Sequence, residues 1–478
     1  MDITRLWSEA NKKAQKAAHA PGSPGSAAAP GQTSARPALR HLPAGRSPDD
    51  LCADCRRNGR VYCPHRPILA LKAELASSLN KQDFFGPSPP NMFVGHYGWP
   101  QINWGPTLSL AEGIPDNPKD WYGWDFDQIV RARSLMVRGM SKSSVRAASH
   151  PASPGLGREA PMLRMLSDAQ EAAMSVSPLD LEMHFSKKPD LRVELHAVHQ
   201  PMGPSAPLER LRLADNARIP GKLDELVEEK VPAHKAVVEL LHSGFDEHYL
   251  TRLLTAGVLG KPERKKLVPT RWGITAVDDM MAQEHMYEVR QMRQSSEFML
   301  FSNEYLANRF HILLLPGAWE YEGFEAWCGP LACQNATPVH LGGDASNGQA
   351  GPGGSEPSSH FSSFAISEEH EPYEGRTAYA HKQGGGYYAA RLGVAEALAT
   401  RLKRQARALV IREILPEYDL PVGVWQIRQS VREAFKNPVQ KFQTFSEAIA
   451  GLHTQLKLPL SEYLKRSRLL SQKRLSDF

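Results

Sequence analysis

The stretch YYAARLGVAEALATRLKRQARALVIREIL (387–415) has the clearest structural pattern in the chain. Its first part, 387–405, has apolar residues at helical spacing and predicts a helix. The apolar positions are Leu392, Val394, Ala395, Leu398 and Leu402. The next segment, 406–415, is short and rich in apolar residues, which predicts a buried strand. A helix that leads directly into a buried strand indicates mixed α and β structure.

Other segments agree with this interpretation. RFHILLLPG (309–317) contains a continuous apolar run closed by Pro-Gly, which is typical of a buried strand. VWQIRQSVREAF (424–435) has the apolar spacing of an amphipathic helix. HKAVVELLHSG (234–244) and DEHYLTRLLTAGVLG (246–260) predict two short helices, each ended by a glycine. The fold class is therefore α/β or α+β, and the order of the strands is left open.

Composition divides the chain into several parts. Residues 19–47 are mostly Ala, Pro, Gly, Ser and Thr, a composition that buries too little apolar surface to order a chain. Residues 336–359 are similar and predict a disordered surface insert. The expected organisation is a flexible extension (1–47), a zinc knuckle (48–70), two core regions of one globular fold (83–330 and 360–455) and a basic tail (462–478).

The charge balance is mildly basic. The chain has 57 Lys and Arg against 52 Asp and Glu, a net charge of +5. Two local basic clusters, KPERKK (261–266) and LKRSRLLSQKR (464–474), are suited to phosphate backbones, although such clusters are also common on solvated faces. The chain has no run of about 18 apolar residues and does not begin like a secretory signal. We therefore expect a cytoplasmic, nucleoid-associated protein without a membrane partner.

Cysteine and histidine residues lie close together in LCADCRRNGRVYCPH (51–65). Disulfides are disfavoured in a cytosolic protein, and thiolates two residues apart can span one edge of a zinc tetrahedron. We predict structural Zn²⁺, which would stabilise a segment too short to have a core of its own. The alternative is an empty site in a loop. The candidate ligands are Cys52, Cys55, Cys63 and His65.

An aromatic block, FVGHYGWPQINWGP (93–106), is rich in glycine and proline, which fix tight turns. Such turns can present aromatic faces on which bases stack. The candidate faces are His96, Tyr97, Trp99 and Trp104. The alternative is a rigid loop packed against the core.

Charged residues of two further blocks are candidates for contact with DNA or a nucleotide. In KKLVPTRWGITAVDDMM (265–281), adjacent carboxylates on a helix point about 100° apart, so at most one faces a given metal. The alternative is that these aspartates begin a helix capped by Thr270 or Thr275. In EEHEPYEGRTAYAHKQGGGYYAAR (368–391), three glycines precede a helix whose amides could bind a phosphate near Lys382, or simply permit close packing on a strand. The candidates are Arg271, Asp278, Glu371, Tyr373 and Arg391.

Several of these blocks occur together in one known family. PPNMFVGHYGWPQINWGP, KLVPTRWGITAVDD, FHILLLPGAWEYEGFEAW and GGGYYAARLGVAEAL follow the C-x-x-C knuckle in order. The chain resembles the Nre family of archaeal DNA repair proteins from about Cys52 to Phe435, and also in its tail. This resemblance implies a role in the response to DNA damage. The family knuckle has four cysteines, whereas this segment has three and His65.

The resemblance also implies a partner for the tail, SQKRLSDF (471–478). Many family members end in a PIP box, a peptide that binds the sliding clamp PCNA. Its polar and apolar anchors fall here on Gln472, Leu475 and Phe478. The usual tail ends in two aromatic residues, and this one has a single aromatic. The alternative is that Leu469, Leu470 and Leu475 only end an amphipathic helix.

Two functional hypotheses follow. The first is a clamp-tethered repair protein that contacts DNA through the zinc knuckle and the basic clusters. The second is an enzyme acting on nucleic acid or a nucleotide, with a site around His96, Arg271, Asp278, Glu371 and Arg391. The sequence identifies no catalytic nucleophile or base, so enzymatic activity is left undecided.

Overall fold

The computed structural model describes residues 75–149, 160–190, 193–194, 196–328, 365–418 and 420–471. These residues form two six-stranded sheets with helices packed on them. The mixed α and β class is confirmed, and it is of the α+β kind, because most neighbouring strands run antiparallel.

The first sheet has the strand order β1-β5-β6-β4-β3-β2. β4 and β6 run parallel, and the other neighbours are antiparallel. The strands are β1 (Asp83–Ser88), β2 (Met92–Val94), β3 (Gln101–Ser109), β4 (Met136–Ser144), β5 (Leu179–Phe185) and β6 (Ser205–Leu213).

The second sheet has the order β10-β9-β11-β8-β7-β12. β11 lies between β9, to which it is parallel, and β8, to which it is antiparallel. Strands before and after the 329–364 interval therefore share one sheet. They are β7 (Phe298–Tyr305), β8 (Asn308–Leu315), β9 (Glu320–Trp327), β10 (Ala365–Glu371), β11 (Arg407–Ile414) and β12 (Gln440–Phe442).

The helices predicted from apolar spacing are present. Those expected over 234–244, 246–260, 387–405 and 424–435 correspond to α4, α5, α7 and α8, and a π-helical turn follows α7. The helices are α1 (Phe126–Ser134), α2 (Ala160–Met174), α3 (Gly221–Glu228), α4 (Ala233–His242), α5 (Glu247–Thr255), α6 (Thr270–Val289), α7 (Gly385–Glu396), α8 (Trp425–Lys436), α9 (Phe445–Gln455), α10 (Leu460–Leu464) and α11 (Arg468–Ser471).

Strand β11 is buried at all eight positions because both faces of the second sheet are covered. Ala408 and Val410 face the large core, which also contains α6, α7 and α8. Leu409 and Ile411 face a second core, formed with α9, α10 and α11. Successive residues of β8 also face the two cores in turn. This agrees with the period of two expected for side chains along a strand.

Helix α6 is the longest described helix and packs against α4, α5 and α7. It begins directly after Pro269, and its buried residues follow one side. These residues are Gly273, Val277, Asp278, Met281, Ala282, Met286 and Val289. The beginning of this helix positions most of the candidate site.

Several sequence-based predictions lie outside the described residues. They concern the extension 1–47, the zinc knuckle with Cys52, Cys55, Cys63 and His65, the insert 336–359 and the end of the tail, 472–478. Among the described helices, none combines the length and the apolar character needed to cross a membrane.

Candidate nucleic-acid interface

Three exposed aromatic side chains lie together where α6 begins. Tyr97 is 72% exposed, Trp99 47% and Trp272 46%. The rings of Trp99 and Trp272 are 5.4 Å apart, and Tyr97 lies 4.0 Å from the ring of His96. We call Tyr97, Trp99 and Trp272 the aromatic platform. Large aromatic rings in such exposed positions are available for stacking.

The platform is assembled from two distant segments. The hydroxyl of Thr270, the first residue of α6, accepts a hydrogen bond of 2.9 Å from the backbone N–H of Val94 in β2. One residue later, Arg271 Nη1 lies 3.3 Å from Nε2 of His96. The turn after β2 and the first turn of α6 are thereby held side by side. Trp104, also predicted as a stacking face, is fully buried in the core.

Two histidines that the sequence analysis did not identify lie near His96. The rings of His196 and His199 are parallel and 4.0 Å apart. His196 Nδ1 accepts backbone N–H groups of Val198 and His199, at 3.0 and 3.3 Å, so its Nε2 carries the proton. His199 Nδ1 lies 2.9 Å from the carbonyl oxygen of Gln200 and therefore donates.

Burial keeps these imidazoles neutral. Burial, followed by the positive charge of Arg271, lowers the pKa of His196 to about 4. Burial lowers the pKa of His199 well below its usual range, and His196 lowers it further. Burial and Arg271 also lower the pKa of His96, while Glu194 opposes this effect. The cluster is thus a set of uncharged donors and acceptors beside a permanent cation.

Arg138 of β4 lies on the inner side of this cluster. Its guanidinium packs over the ring of Phe93, 4.6 Å from the centroid, and Phe93 in turn contacts the ring of His199. Burial lowers the pKa of Arg138 to about 10, with Glu194 opposing. The nearest carboxylate oxygen, on Glu194, is 3.8 Å from Nη2. This arginine is poorly paired for its degree of burial.

Three other predicted contact residues, Asp278, Glu371 and Arg391, lie in buried ion pairs, and Tyr373 lies at the surface. Asp278 Oδ1 is 2.9 Å from Arg428 Nη2. Arg391 is 2.6 Å from Glu371 and also pairs with Asp279. Tyr373, 43% exposed, stacks near the guanidinium of Arg290. The structure brings His96, Tyr97 and Arg271 together and places Asp278, Glu371 and Arg391 in the interior.

Two interpretations of the sequence are corrected here. The aspartates do not begin a helix, because α6 starts at Thr270 and Asp278 and Asp279 lie in its third turn. Gly384 precedes α7, and Gly385 and Gly386 are its first two residues. A Cβ added to Gly385 would lie 3.3 Å from the side chains of Val198 and Val424, and one added to Gly386 would lie 2.5 Å from Glu325 Oε1. The glycines therefore permit close packing, and the packing alternative applies there.

A polar cleft of about 320 Å³ opens beside β10. Its lining includes Arg376 and Lys382, which lie 2.9 and 3.5 Å from Glu369 and Glu368. Arg468, from the basic tail, completes one side. The cleft therefore joins the block 368–391 to the tail, with charges of both signs.

The tail is fixed to the second sheet up to Ser471. Glu413 of β11 accepts hydrogen bonds from the N–H groups of Lys457 and Leu458 and from the hydroxyl of Tyr463, at 2.7 to 2.9 Å. Glu322 of β9 accepts from the N–H of Arg468 at 2.7 Å. Leu469 is buried in the second core. Leu469 is thus a core residue, and the predicted clamp peptide begins at the end of an anchored segment.

The residues missed by the sequence analysis had only a weak signal. His196 and His199 lie three residues apart in HAVHQ (196–200), and Arg138 lies in an ordinary strand. Their partners, Phe93 and His96, precede them by about 40 to 100 residues. The pairing of β2 with β3 and of β3 with β4 brings Phe93 near Arg138, and the isolated bridge of His196 to Val422 helps to position the two histidines.

Comparisons with known proteins give a consistent result. Residues 58–330 match the family model Archaeal Nre, N-terminal, and residues 371–478 match Archaeal Nre, C-terminal. DNA repair protein NreB of Archaeoglobus fulgidus is 29% identical over 428 residues, covering 88% of this chain and 97% of that protein. DNA repair protein NreA of the same organism is 30% identical over 404 residues, covering 84% and 92%. DNA repair protein NreA of Haloferax volcanii is 30% identical over 394 residues, covering 80% and 86%. No solved structure matches the chain.

Proposed function

The chain belongs to the archaeal Nre family, and from this membership we propose that it acts in DNA repair, as a DNA-binding protein tethered to the sliding clamp. The observation that carries the proposal is the aromatic platform beside Arg271. Relatives that match over most of their length have the name DNA repair protein. The same activity is expected here.

The platform has the properties of a surface that binds unpaired bases. Stacking of a base on an aromatic ring contributes about 1–3 kcal/mol and depends little on sequence. Trp99 and Trp272 offer two adjacent rings, and Arg271 places a cation within the same surface. DNA with exposed bases, as at gaps, flaps and frayed ends, suits this arrangement better than intact duplex DNA.

The alternative enzyme site receives less support. Such a site needs His96, Arg271, Asp278, Glu371 and Arg391 to converge on one substrate. Asp278 and Glu371 are fully buried and pair with arginines of neighbouring helices. The geometry therefore favours a binding surface formed by the first turn of α6 and the turn after β2.

The tail is proposed to bind the clamp through Gln472, Leu475 and Phe478. Support comes from the anchoring of the preceding segment on the second sheet. Because only a short peptide follows it, a clamp bound to that peptide would be held at high effective concentration near the rest of the protein. Lys465 and Arg466 pair with Glu462, at 2.6 and 3.0 Å. Steering towards an acidic clamp surface is therefore assigned to the cations beyond them, Arg468, Lys473 and Arg474.

A structural zinc is proposed at Cys52, Cys55, Cys63 and His65. Three thiolates and one imidazole form a donor set that tetrahedral zinc accepts. Together with the neighbouring arginines, the knuckle would add a second DNA contact. One zinc per purified chain, lost in Cys52→Ser, would support this assignment, and a zinc-free purified chain would refute it.

The DNA-binding proposal is tested with the full chain and fluorescent oligonucleotides at about 0.15 M salt. In Trp99→Ala/Trp272→Ala, we expect single-stranded DNA to bind roughly 10- to 100-fold more weakly. Tyr287→Ala is the matched control, because Tyr287 is 66% exposed on the same helix, about 22 Å further along. Equal affinities for all three proteins would refute the platform.

The clamp proposal is tested by calorimetry of the full chain with the clamp of the same host. We expect binding that is lost in both Gln472→Ala and Phe478→Ala. Binding that survives both substitutions, or no binding by the unaltered protein, would contradict the assignment of the tail.

A further inference from the structure

A buried arginine without adequate partners requires an explanation, and Arg138 is such a residue. It is only 9% exposed. Its Nε has no hydrogen-bond acceptor among the described residues, and its Nη1 contacts only the thioether of Met202, at 3.0 Å. A thioether is a weak acceptor, and a guanidinium has five N–H donors to satisfy. Buried charges left in this state usually mark the place of a water molecule, an ion or a ligand.

The groups around Arg138 point to an anionic ligand. Arg271 supplies a second positive charge next to His96. His196 Nε2 carries the proton, because Nδ1 accepts two backbone N–H groups. Among the described residues, this Nε2–H group has no hydrogen-bond acceptor. Within the part of the chain that the structure describes, the carboxylate that faces Arg138 is that of Glu194, which is 41% exposed and 3.8 Å away. A carboxylate at that distance is easily replaced by a stronger acceptor.

We propose that Arg138, with Arg271 and His196, binds the terminal phosphate of a DNA strand whose last base stacks on the aromatic platform. This inference rests on the proposed DNA-binding function and assigns it a substrate class, namely strand ends bearing a phosphate monoester. Arg138 is the inner binding group, and Arg271, beside His96, connects it to the platform.

Burial selects a terminal phosphate over an internal one. Arg138 and His199 are 9% and 4% exposed, and a phosphate within a strand would have to bring chain on both sides into so enclosed a place. A monoester also has close to two negative charges at neutral pH, whereas a diester has one. The two guanidinium groups match this larger charge.

The test compares oligonucleotides that differ only in their ends. The full chain is titrated with one single-stranded sequence carrying a 5′-phosphate, a 3′-phosphate or hydroxyls only. We expect one phosphorylated form to bind roughly tenfold more tightly than the hydroxyl form. In Arg138→Gln we expect this preference to be lost, so that the phosphorylated and hydroxyl forms bind with similar affinity.

Glu194→Gln provides an independent variant with the opposite expectation. Its side chain is 41% exposed, so the fold should tolerate the change. Removing the negative charge of Glu194 should strengthen binding of the phosphorylated strand severalfold, and more than binding of the hydroxyl form, so the preference for a phosphorylated end should increase. This increase is measurable even if Arg138→Gln fails to fold.

Several results would overturn the inference. These are equal binding of phosphorylated and hydroxyl ends by the unaltered protein, a preference retained in folded Arg138→Gln, and no effect of Glu194→Gln. Inorganic phosphate alone is a further arm, and thermal stabilisation equal to that by the phosphorylated strand would assign the site to free phosphate. In each case the Trp99→Ala/Trp272→Ala result still decides the proposed function separately.

Discussion

The guanidinium of Arg428 lies 2.9 Å from the carboxylate of Asp278, and this pair joins α8 to α6 in the interior of the protein. The next residue along α6, Asp279, pairs instead with Arg391 of α7. Adjacent positions on one helix thus face two different helices. The three helices are fixed to one another by charges that have little contact with solvent.

Because of Asp278, the free energy of unfolding should decrease as pH rises. Burial raises its pKa to about 6, with Arg428 opposing, so the folded protein holds a proton that the unfolded chain releases near pH 4. Stability is therefore lost as pH rises from about 4 through 6, by about 3 kcal/mol. Denaturant unfolding of the wild type and Asp278→Asn across this range should show it. If the free energies of unfolding of the two proteins differed by the same amount at every pH, the raised pKa of Asp278 would be contradicted.

Because of His196, the free energy of unfolding should decrease as pH falls. Its pKa is about 4 in the folded protein, so the unfolded chain binds a proton first as pH falls below about 6.5. Stability is therefore lost as pH falls from 6.5 to 4. We expect about 1–2 kcal/mol, allowing for partial exposure of the ring. In His196→Asn this loss should be absent, and unfolding curves at pH 7.5, 6 and 5 measure it. If the free energies of unfolding of the wild type and His196→Asn changed in parallel with pH, a lowered pKa of His196 would be excluded.

Gly393 should be a packing constraint between α7 and α8. A Cβ at this position would lie 2.7 Å from Val431 Cγ1 and 3.0 Å from its Cβ. Gly393→Ala should therefore destabilise the protein by about 1–3 kcal/mol through overpacking, although alanine favours helix. Val431→Ala in the same chain should recover part of the loss. Gly221→Ala is the control, because its added Cβ meets no atom within 4 Å. A loss of equal size in the control would exclude packing as the cause.

Glu413 should hold the segment 457–471 on the second sheet. It is fully buried and accepts two backbone N–H groups and the hydroxyl of Tyr463. Glu413→Gln offers one carbonyl oxygen in place of the carboxylate, so local opening and trypsin cleavage after Lys457 should increase roughly 10- to 100-fold. Limited proteolysis followed by mass spectrometry measures the rate. Glu462→Gln, which alters an exposed pair, should cleave at nearly the wild-type rate, and equal rates in both variants would refute the anchor.

The sequence predicted individual elements better than their assembly. Strands β8 and β11 were identifiable because each contains four consecutive apolar residues, 312–315 in β8 and 408–411 in β11. The charged residues of β11 were not interpretable, because Arg412 pairs with Asn308 and Glu325, about 90 to 100 residues earlier. The beginning of α6 was misplaced because its aspartates resemble a first turn, whereas tertiary pairing with arginines holds them in the middle of the helix.

The candidate site was predicted only in part, for the same reason. His96, Tyr97 and Arg271 were identified from glycine-, proline- and tryptophan-rich blocks, whose composition is unusual. Arg138, His196 and His199 lie in segments of ordinary composition. Their burial and mutual distances depend on sheet pairing between segments far apart in the chain, which no local pattern contains.

The position of β11 also determines when the second sheet can be completed during synthesis. β8 and β9 leave the ribosome without the strand that separates them, and β11 follows β8 by roughly 90 residues. At bacterial-type elongation rates this interval lasts about 5 to 20 seconds. During that time, the backbone N–H and C=O groups along the edges of β8 and β9 that will face β11 are unpaired in the nascent chain. Placing a late strand at the centre of a sheet thus lengthens the time for which the 308–327 segment can pair with other chains before 407–414 appears.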